Sequence, residues 1–388
     1  MLLRIKLLTL RKLIMPVALI ILPVLVISFV SITLTKDKSA TRAERFEHTP
    51  DVFADYDPLN LTHRLVRMDE QNGIINSNEA RKAYGAINNF LKKVKDTCRI
   101  DDTTENFLDC ANKILGANFY YKPSATVAKA YANHFSDCDL NVYLMFDAAR
   151  AFSKKLEIVY APRHAFLSFI SEKYGMRFYW ETTENENTGV IANISDSFYK
   201  KTHHRFYYSP VGERVIEKLY PILSLADMDS HRWDAVVKSI DKSMSDNPLV
   251  LDFYYEDREN KKQLSQKDIH ILYGLIQDDI SSVDKRLILA RHFLGKGQRN
   301  EAMNILNQID DSECKLSCME VREKTSSLDR AVYSLMKMFK WFNSDISRVG
   351  IIFYVLAVIV VYGIILIFVG RMQINNRNKN KGNNLNQV

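Results

Sequence analysis

Two uncharged apolar runs near the ends of this 388-residue chain confine any water-soluble fold to the segment between them. Residues 13–34 and 349–369 contain no Asp, Glu, Lys or Arg, and each run matches the ~20 apolar residues that cross a bilayer as a helix. Lys and Arg cluster on the outer side of both runs, so the positive-inside rule places both chain ends in the cytoplasm. The alternative for the first run is a cleaved signal peptide, but no small-residue cleavage site follows it closely.

The two runs predict an integral membrane protein, in a bacterium one of the inner membrane, with residues 36–348 in the periplasm. That compartment is oxidising. Much of the net charge of +7 lies at the two ends of the chain. No concentrated basic stripe runs through the middle, so nucleic acid is not an expected partner.

The cysteines favour the same compartment. Of the five, Cys314 and Cys318 lie close enough in sequence to bridge near a helix end, and Cys98 and Cys110 flank a predicted turn between two helices. If both pairs form, Cys138 is the odd thiol. Spacing alone does not fix the connectivity, and other pairings stay open.

The residues around Cys138 are typical of a helix start. Ser136 followed by Asp139 resembles a capping box, which predicts Ser136 as the N-cap and Cys138 in the first turn. The positive end of a helix lowers the pKa of a thiol, and the thiolate is the nucleophile, so this position predicts a reactive cysteine. Three further helices are predicted before it, at residues 77–95, 103–115 and 125–135.

A histidine and a carboxylate follow Cys138 on two predicted strands. Three short runs favour strands, at residues 156–160, 164–170 and 176–181. A turn centred near residues 172–173 puts His164 directly opposite Glu181 in a hairpin, with side chains ~5 Å apart on one face. A slip of one residue would send the two side chains to opposite faces.

The segments 137–139, 160–166 and 179–183 together resemble the transglutaminase-like superfamily, whose members share a papain-like core. The resemblance covers roughly residues 75–205. It implies that Cys138 is the nucleophile, His164 the base and Glu181 the acid that orients the base.

The chain departs from the family pattern at two positions. Glu181 stands where the family usually has Asp, and Ser136 stands where a Gly is common two residues before the cysteine. The oxyanion donor is unassigned, and the backbone N–H of Cys138 is one candidate. Taken singly, each site residue also has an ordinary structural interpretation, since a lone buried cysteine is most often a small hydrophobe.

Residues 211–330 are predicted to form a helical module, for which two interpretations are open. The surroundings of Ala235 and Ala302 resemble tetratricopeptide units separated by close to two 34-residue periods. The copy between them is degenerate, so an ordinary helical bundle is the alternative. Either form suits protein contact better than chemistry.

The predicted fold class is α+β, with a papain/transglutaminase-like core and an all-α helical domain, flanked by two transmembrane helices. The predicted domains are the cytoplasmic N-terminus and first span (1–35), a linker with a short helix (36–74), the transglutaminase-like domain (75–210), the helical domain (211–330), a juxtamembrane helix (331–348), the second span (349–370) and a disordered cytoplasmic tail (371–388).

The predicted function is a membrane-anchored cysteine acyl-transfer enzyme of protease, amidase or transglutaminase type. It would act on protein or peptide amides through Cys138, His164 and Glu181. No cofactor or metal is expected, and the adjacent His203 and His204 predict a solvated loop. The expected partners are the substrate, the membrane and a protein bound by the helical domain. The competing interpretation is a non-catalytic scaffold whose helices recruit an envelope protein complex.

Overall fold

A computed structural model describes residues 49–122, 127–183, 189–196, 199, 202–239, 246–310, 313–314 and 316–325. The described residues form a mixed α+β fold. Its α-helices are α1 (Leu61–Gln71), α2 (Ser77–Thr97), α3 (Thr104–Asn118), α4 (Cys138–Ala151), α5 (Glu213–Leu223), α6 (Ser230–Ser239), α7 (Pro248–Asn260), α8 (Gln266–Asp278), α9 (Val283–Gly295), α10 (Arg299–Leu306) and α11 (Leu316–Arg322). Its strands are β1 (Tyr120–Tyr121), β2 (Phe135–Ser136), β3 (Glu157–Ala161), β4 (His164–Ile170), β5 (Arg177–Glu181), β6 (Val190–Ile191) and β7 (Pro210–Val211).

The predicted fold class is wrong in its two flanking membrane helices. Within the described ranges, the structure has no helix with both the length and the apolar character needed to cross a bilayer. Helix α2 has 21 residues but is amphipathic, with Lys and Asp residues opposite its buried stripe. The runs that motivated the prediction, together with the juxtamembrane segment and the tail, lie outside the described residues. The fold class of the described residues is therefore mixed α+β.

A five-stranded antiparallel sheet lies at the centre of the fold, in the order β6-β5-β4-β3-β7. Alternate residues of each strand point to opposite faces. One face packs on the helices through Tyr160, Leu167 and Trp180. The other face carries a smaller apolar cluster that includes Phe166 and Tyr199.

Helix α4 packs on the first face of the sheet, and helices α1 to α3 pack with it in one core. Leu61 and Leu65 of α1, Phe90 of α2 and Leu144 of α4 are completely buried in one core. Helix α1 thus belongs to the packed core, although residues 36–74 were expected to be a linker with a short helix.

The predicted elements and the observed ones differ most at residues 125–135. A helix was expected there, but the described part is a short 3₁₀ turn, Ala128–Asn133, followed by strand β2. Strand β2 pairs in parallel with β1, and His134 has a left-handed φ of 56° that ends the turn. The pairing of β2 with β1 therefore keeps residues 135–136 extended, although the sequence pattern favours a helix there.

Helices α7 to α11 enclose a second core, which contains Leu272, Ile288 and the disulfide between Cys314 and Cys318. Helices α5 and α6 instead contribute to the first core, through residues such as Ile216 and Trp233. The tetratricopeptide-like character of this region and its boundary at residue 211 stay predictions.

Candidate active site

Cys138 is the first residue of helix α4 and the free cysteine of the chain. The other four cysteines form two disulfides, Cys98–Cys110 and Cys314–Cys318, as the predicted pairing requires. Cys138 as a whole residue is partly exposed, but its sulfur is enclosed by the surrounding protein. Its place at a helix start agrees with the expectation from the sequence.

The predicted N-cap is displaced by one residue. Asp137, and not Ser136, caps α4 by accepting a hydrogen bond from the N–H of Leu140 at 3.3 Å. Ser136 is still in the extended chain of β2, paired with Tyr121, and its buried hydroxyl has no hydrogen-bond partner among the described residues. The strand pairing holds the chain extended up to residue 136, so the helix can begin only after it.

His164 and Glu181 form a hydrogen bond of 2.5 Å between Nε2 and Oε2. His164 is the first residue of β4, Glu181 is the last residue of β5, and both side chains are almost completely buried. The sequence argument brought the same two residues together, and the structure places them in contact.

The register that produces this contact differs from the predicted one by two residues. Strand β4 pairs with β5 so that Leu167 faces Trp180, which places Glu181 beside Phe166 and not beside His164. Because side chains alternate along a strand, a shift of two residues keeps His164 and Glu181 on one face as diagonal neighbours. The predicted pairing was wrong, but the predicted face was right.

Three groups besides His164 hold the Glu181 carboxylate. Its Oε1 accepts hydrogen bonds from the N–H of Thr183 at 3.0 Å and from the Thr183 hydroxyl at 2.6 Å. Its Oε2 accepts one from the Tyr199 hydroxyl at 3.2 Å. Burial works to raise the pKa of Glu181, but His164 and Thr183 outweigh it and keep the pKa below its usual value. Glu181 is therefore an ionised, oriented partner for the imidazole.

The nucleophile and base segments meet at Ala165. The Cys138 sulfur accepts a hydrogen bond from the backbone N–H of Ala165, the residue after His164. His164 also interacts electrostatically with Asp137, the residue before Cys138. The start of α4 and the start of β4 thus lie side by side, which brings Cys138, His164 and Glu181 into one site.

The expected low pKa of the thiol is wrong. Burial raises the pKa of Cys138 well above its usual value, Asp139 and Asp137 raise it further, and the hydrogen bond from Ala165 offsets only part of this. Burial also raises the pKa of Asp137 to about 6 and that of Asp139 well above its usual value. The acidic neighbours and the burial outweigh the positive end of the helix, so Cys138 rests as a neutral thiol.

Asp137, Cys138 and Asp139 also have the chemistry of a cation site, because their donor atoms lie within 4.8 Å of one another. A metal ion bound there would coordinate the thiol and remove it as a nucleophile. His203 and His204 do not join this group. His203 Nδ1 lies 3.7 Å from Asp279 Oδ1, and His204 Nδ1 accepts a hydrogen bond from the N–H of Phe206 at 3.2 Å.

Two aromatic residues of the site were missed by the sequence argument. Tyr199 holds Glu181, as described above. Tyr121 lies beside the start of α4 through the pairing of β1 with β2. Burial raises the pKa of Tyr121, and Coulomb interactions with Cys138, Asp137 and Glu181 raise it further. Its phenol therefore belongs to the same electrostatic cluster, and no pattern in the sequence marked either tyrosine.

Comparison of the whole chain with known proteins gives no relative from which a role could be transferred. No protein-family model matches the chain, no curated protein matches it, and no solved structure matches it. The transglutaminase-like resemblance thus stays a prediction from three short segments. The functional interpretation depends on the chemistry of the site described above.

Proposed function

We propose that this protein is a cysteine acyl-transfer enzyme that acts on protein or peptide amides through Cys138, His164 and Glu181. The observation that carries the proposal is the hydrogen bond between His164 and Glu181. Beside it, the Cys138 sulfur contacts Ala165, the residue that follows His164 in β4. A nucleophile, a base and a group that orients the base are the three parts this chemistry needs. The buried Glu181 carboxylate can stabilise the imidazolium that forms during the reaction.

The reaction begins with attack of the Cys138 sulfur on the carbonyl carbon of the substrate amide. Nε2 of His164 is engaged by Glu181, so Nδ1 accepts the thiol proton as the carbon–sulfur bond forms. The imidazolium then gives this proton to the leaving amine when the carbon–nitrogen bond breaks. A thioester on Cys138 remains, and either water or a second amine resolves it. The backbone N–H of Cys138 is the candidate donor to the oxyanion.

The raised pKa of Cys138 determines how the nucleophile is activated. A preformed thiolate–imidazolium pair requires a thiol that ionises easily, whereas the burial and the acidic neighbours of Cys138 favour the neutral form. The proton therefore moves to His164 during the attack, as it does from the hydroxyl of a serine nucleophile.

The same raised pKa favours a second candidate function, a non-catalytic scaffold. In that case the cluster around Cys138 is a remnant of a catalytic core, and the helices α7 to α11 bind a protein partner. The two candidates differ in one measurable property, which is the ability of Cys138 to accept an acyl group.

Two disulfides support a location in an oxidising compartment. Cys98 and Cys110 join the end of α2 to α3, and Cys314 and Cys318 lie in the second core. Disulfides persist in secreted and periplasmic proteins and are reduced in most cytosols. The substrate amides are then proteins or peptides of the cell envelope.

Reaction of the full-length protein with p-nitrophenyl acetate tests the proposal. The wild type should release a burst of p-nitrophenolate of about one equivalent, as the acetyl group is transferred to the thiol. Mass spectrometry should find this acetyl group on the peptide that contains Cys138. The burst should be absent in Cys138→Ala and reduced at least about a hundredfold in rate in His164→Ala, because the base is lost.

Two controls make the outcome clear. Thr103→Ala changes an exposed hydroxyl that only caps α3, so the burst should persist in this variant. A wild-type protein that gives no burst, or one whose burst is unchanged in Cys138→Ala, would contradict the enzyme and favour the scaffold.

A further inference from the structure

Arg163 occupies the turn that immediately precedes His164. Ala161 pairs with His164 at the ends of β3 and β4, so only Pro162 and Arg163 connect the two strands. Arg163 has a φ of 59°, in the left-handed region where Gly or Asn is usual. Pro followed by a residue with positive φ is the pattern of a type II turn. A long charged residue at this point needs contacts elsewhere to hold it.

Those contacts come from the helical pair α7 and α9. The Nε of Arg163 donates to Asp284 Oδ1 of α9 at 2.7 Å, and its Nη2 donates to Glu256 Oε2 of α7 at 2.8 Å. Asp284 is almost completely buried, with its side chain 3% exposed, and Glu256 also accepts a hydrogen bond from Arg291 of α9. We call Arg163, Glu256 and Asp284 the Arg163 clamp.

A second contact joins the same two helices to the segment that follows the active-site strands. The Tyr207 hydroxyl donates to Asp252 Oδ2 of α7 at 2.8 Å, and Lys285 of α9 donates to Asp252 Oδ1 at 2.7 Å. The neighbouring N–H of Tyr208 donates to the carbonyl of Tyr160 in β3 at 2.8 Å. The helical pair therefore holds strand β3 from two sides, at its turn and through Tyr207.

These contacts connect the helical module to the base of the proposed reaction. His164 is one peptide unit from Arg163, and its Nε2 must stay within hydrogen-bond distance of Glu181. A misplacement of a catalytic group by ~1 Å can reduce a rate by ~100-fold. A small shift of the turn on the helices is therefore enough to change the rate.

We propose that Arg163 is a positioning residue through which helices α7 and α9 set the place of His164. The inference rests on the proposed function, because it gives the helical module a role in acyl transfer. It follows that any partner or substrate that shifts α7 against α9 changes the activity without contacting the active site.

The test compares the acetylation rate of full-length variants with p-nitrophenyl acetate. Arg163→Ala and Asp284→Asn should each lower the limiting rate about tenfold, while the half-saturating ester concentration stays unchanged. Arg163→Lys should recover part of the rate, because an ammonium can pair with one of the two carboxylates. The matched control is Arg258→Gln, which breaks an ion pair with Asp268 inside the same helical module and should stay within twofold of the wild type.

Thermal melting of each variant separates positioning from general loss of the fold. Rates that fall in the clamp variants, at temperatures where all proteins are folded, support the inference. A wild-type burst that is unchanged in Arg163→Ala and Asp284→Asn overturns it and leaves the proposed function intact. A rate that falls equally in Arg258→Gln also overturns it, since the effect is then one of stability. The absence of any burst in the wild type overturns both.

Discussion

The two ends of helix α4 use aspartate in opposite ways. Near its C-terminal end, Asp147 is buried and accepts hydrogen bonds from the N–H groups of Leu61 and Thr62, at 2.9 and 2.8 Å, and from the Thr62 hydroxyl at 2.7 Å. Arg150 donates to the same carboxylate at 2.8 Å. At the N-terminal end, Asp139 faces the Cys138 thiol at 3.9 Å, with Asp137 close by.

The two ends of α4 differ in the role of their carboxyl groups, because Asp147 supports the fold and Asp137 and Asp139 belong to the site. Asp147 caps helix α1 from a distance, since Asn60, the N-cap of α1, makes no capping hydrogen bond with its side chain. Asp137 and Asp139 instead place two carboxyl groups beside a thiol, and burial raises the pKa of both. Burial raises the pKa of Asp147 as well, but the four hydrogen bonds at Asp147 hold helix α1 in place. The acids beside Cys138 instead cost stability at neutral pH to build the site.

The largest effect on stability is expected at Asp147, near the C-terminal end of α4. Asp147→Ala removes the cap of α1 and leaves the buried N–H groups of Leu61 and Thr62 without partners, so the free energy of unfolding should fall by about 3–5 kcal/mol. Urea denaturation measures the change. Asp109→Ala, an exposed acid paired with Lys113 on α3, is the control and should stay within about 0.5 kcal/mol. An equal loss in both variants would contradict the capping role.

The second prediction concerns Asp137, at the N-terminal end of α4, and the pH dependence of the unfolding free energy. Folded Asp137 has a pKa of about 6, and an aspartate in the unfolded chain titrates near ~3.9. The folded state holds this proton more tightly, so the contribution of Asp137 to the unfolding free energy falls as pH rises from about 4 to 6 and is constant above that. Asp137→Asn, which preserves the cap, should gain about 2–3 kcal/mol relative to the wild type across this interval.

The measurement is the difference in unfolding free energy between the two proteins at several pH values. Asp109→Asn serves as the control, because it makes the same change at an exposed position of α3. If the difference for Asp137→Asn does not change with pH, or changes no more than that of the control, the site does not reduce stability at neutral pH.

The strands of the site could be predicted more closely than their pairing. The predicted strand 164–170 matches β4, whereas β3 begins and ends one residue later than predicted and β5 begins one residue later. The register was missed because it depends on the loop. Gly175 takes a left-handed φ of 64°, and Ser171 pairs with Met176 across the loop through backbone hydrogen bonds. A local turn pattern does not determine which residue closes such a loop.

The reactivity of Cys138 could not be predicted from its helix position. The sequence places it correctly at a helix start, but its burial and the approach of Asp139 are properties of the packed site. The same is true of Arg163, whose partners Glu256 and Asp284 are distant in sequence. The two acids beside Cys138 are visible in the sequence, but their burial and the partners of Arg163 depend on long-range packing that no local spacing encodes.

The third prediction isolates the effect of Asp139 on the thiol. After burial, Asp139 is the largest cause of the raised pKa of Cys138. Asp139→Asn removes this carboxyl group, so the pKa of the thiol should fall and alkylation of Cys138 should begin at a lower pH than in the wild type. The rate of alkylation by iodoacetamide, followed by mass spectrometry of the Cys138 peptide between pH 6 and 10, measures the shift.

The alkylation experiment also tests the contrast between the two ends of α4. Asp147→Asn changes the same residue type on the same helix, at the end far from the thiol, and should leave the pH midpoint of alkylation unchanged in the folded protein. If Asp139→Asn leaves the midpoint in place, the thiol is controlled by burial alone. Asp139 would then be a second structural carboxylate, and the two ends of α4 would not differ in the way proposed. A midpoint that falls only in Asp139→Asn shows that this carboxylate controls the nucleophile, since Coulomb interactions weaken with distance and solvent screening.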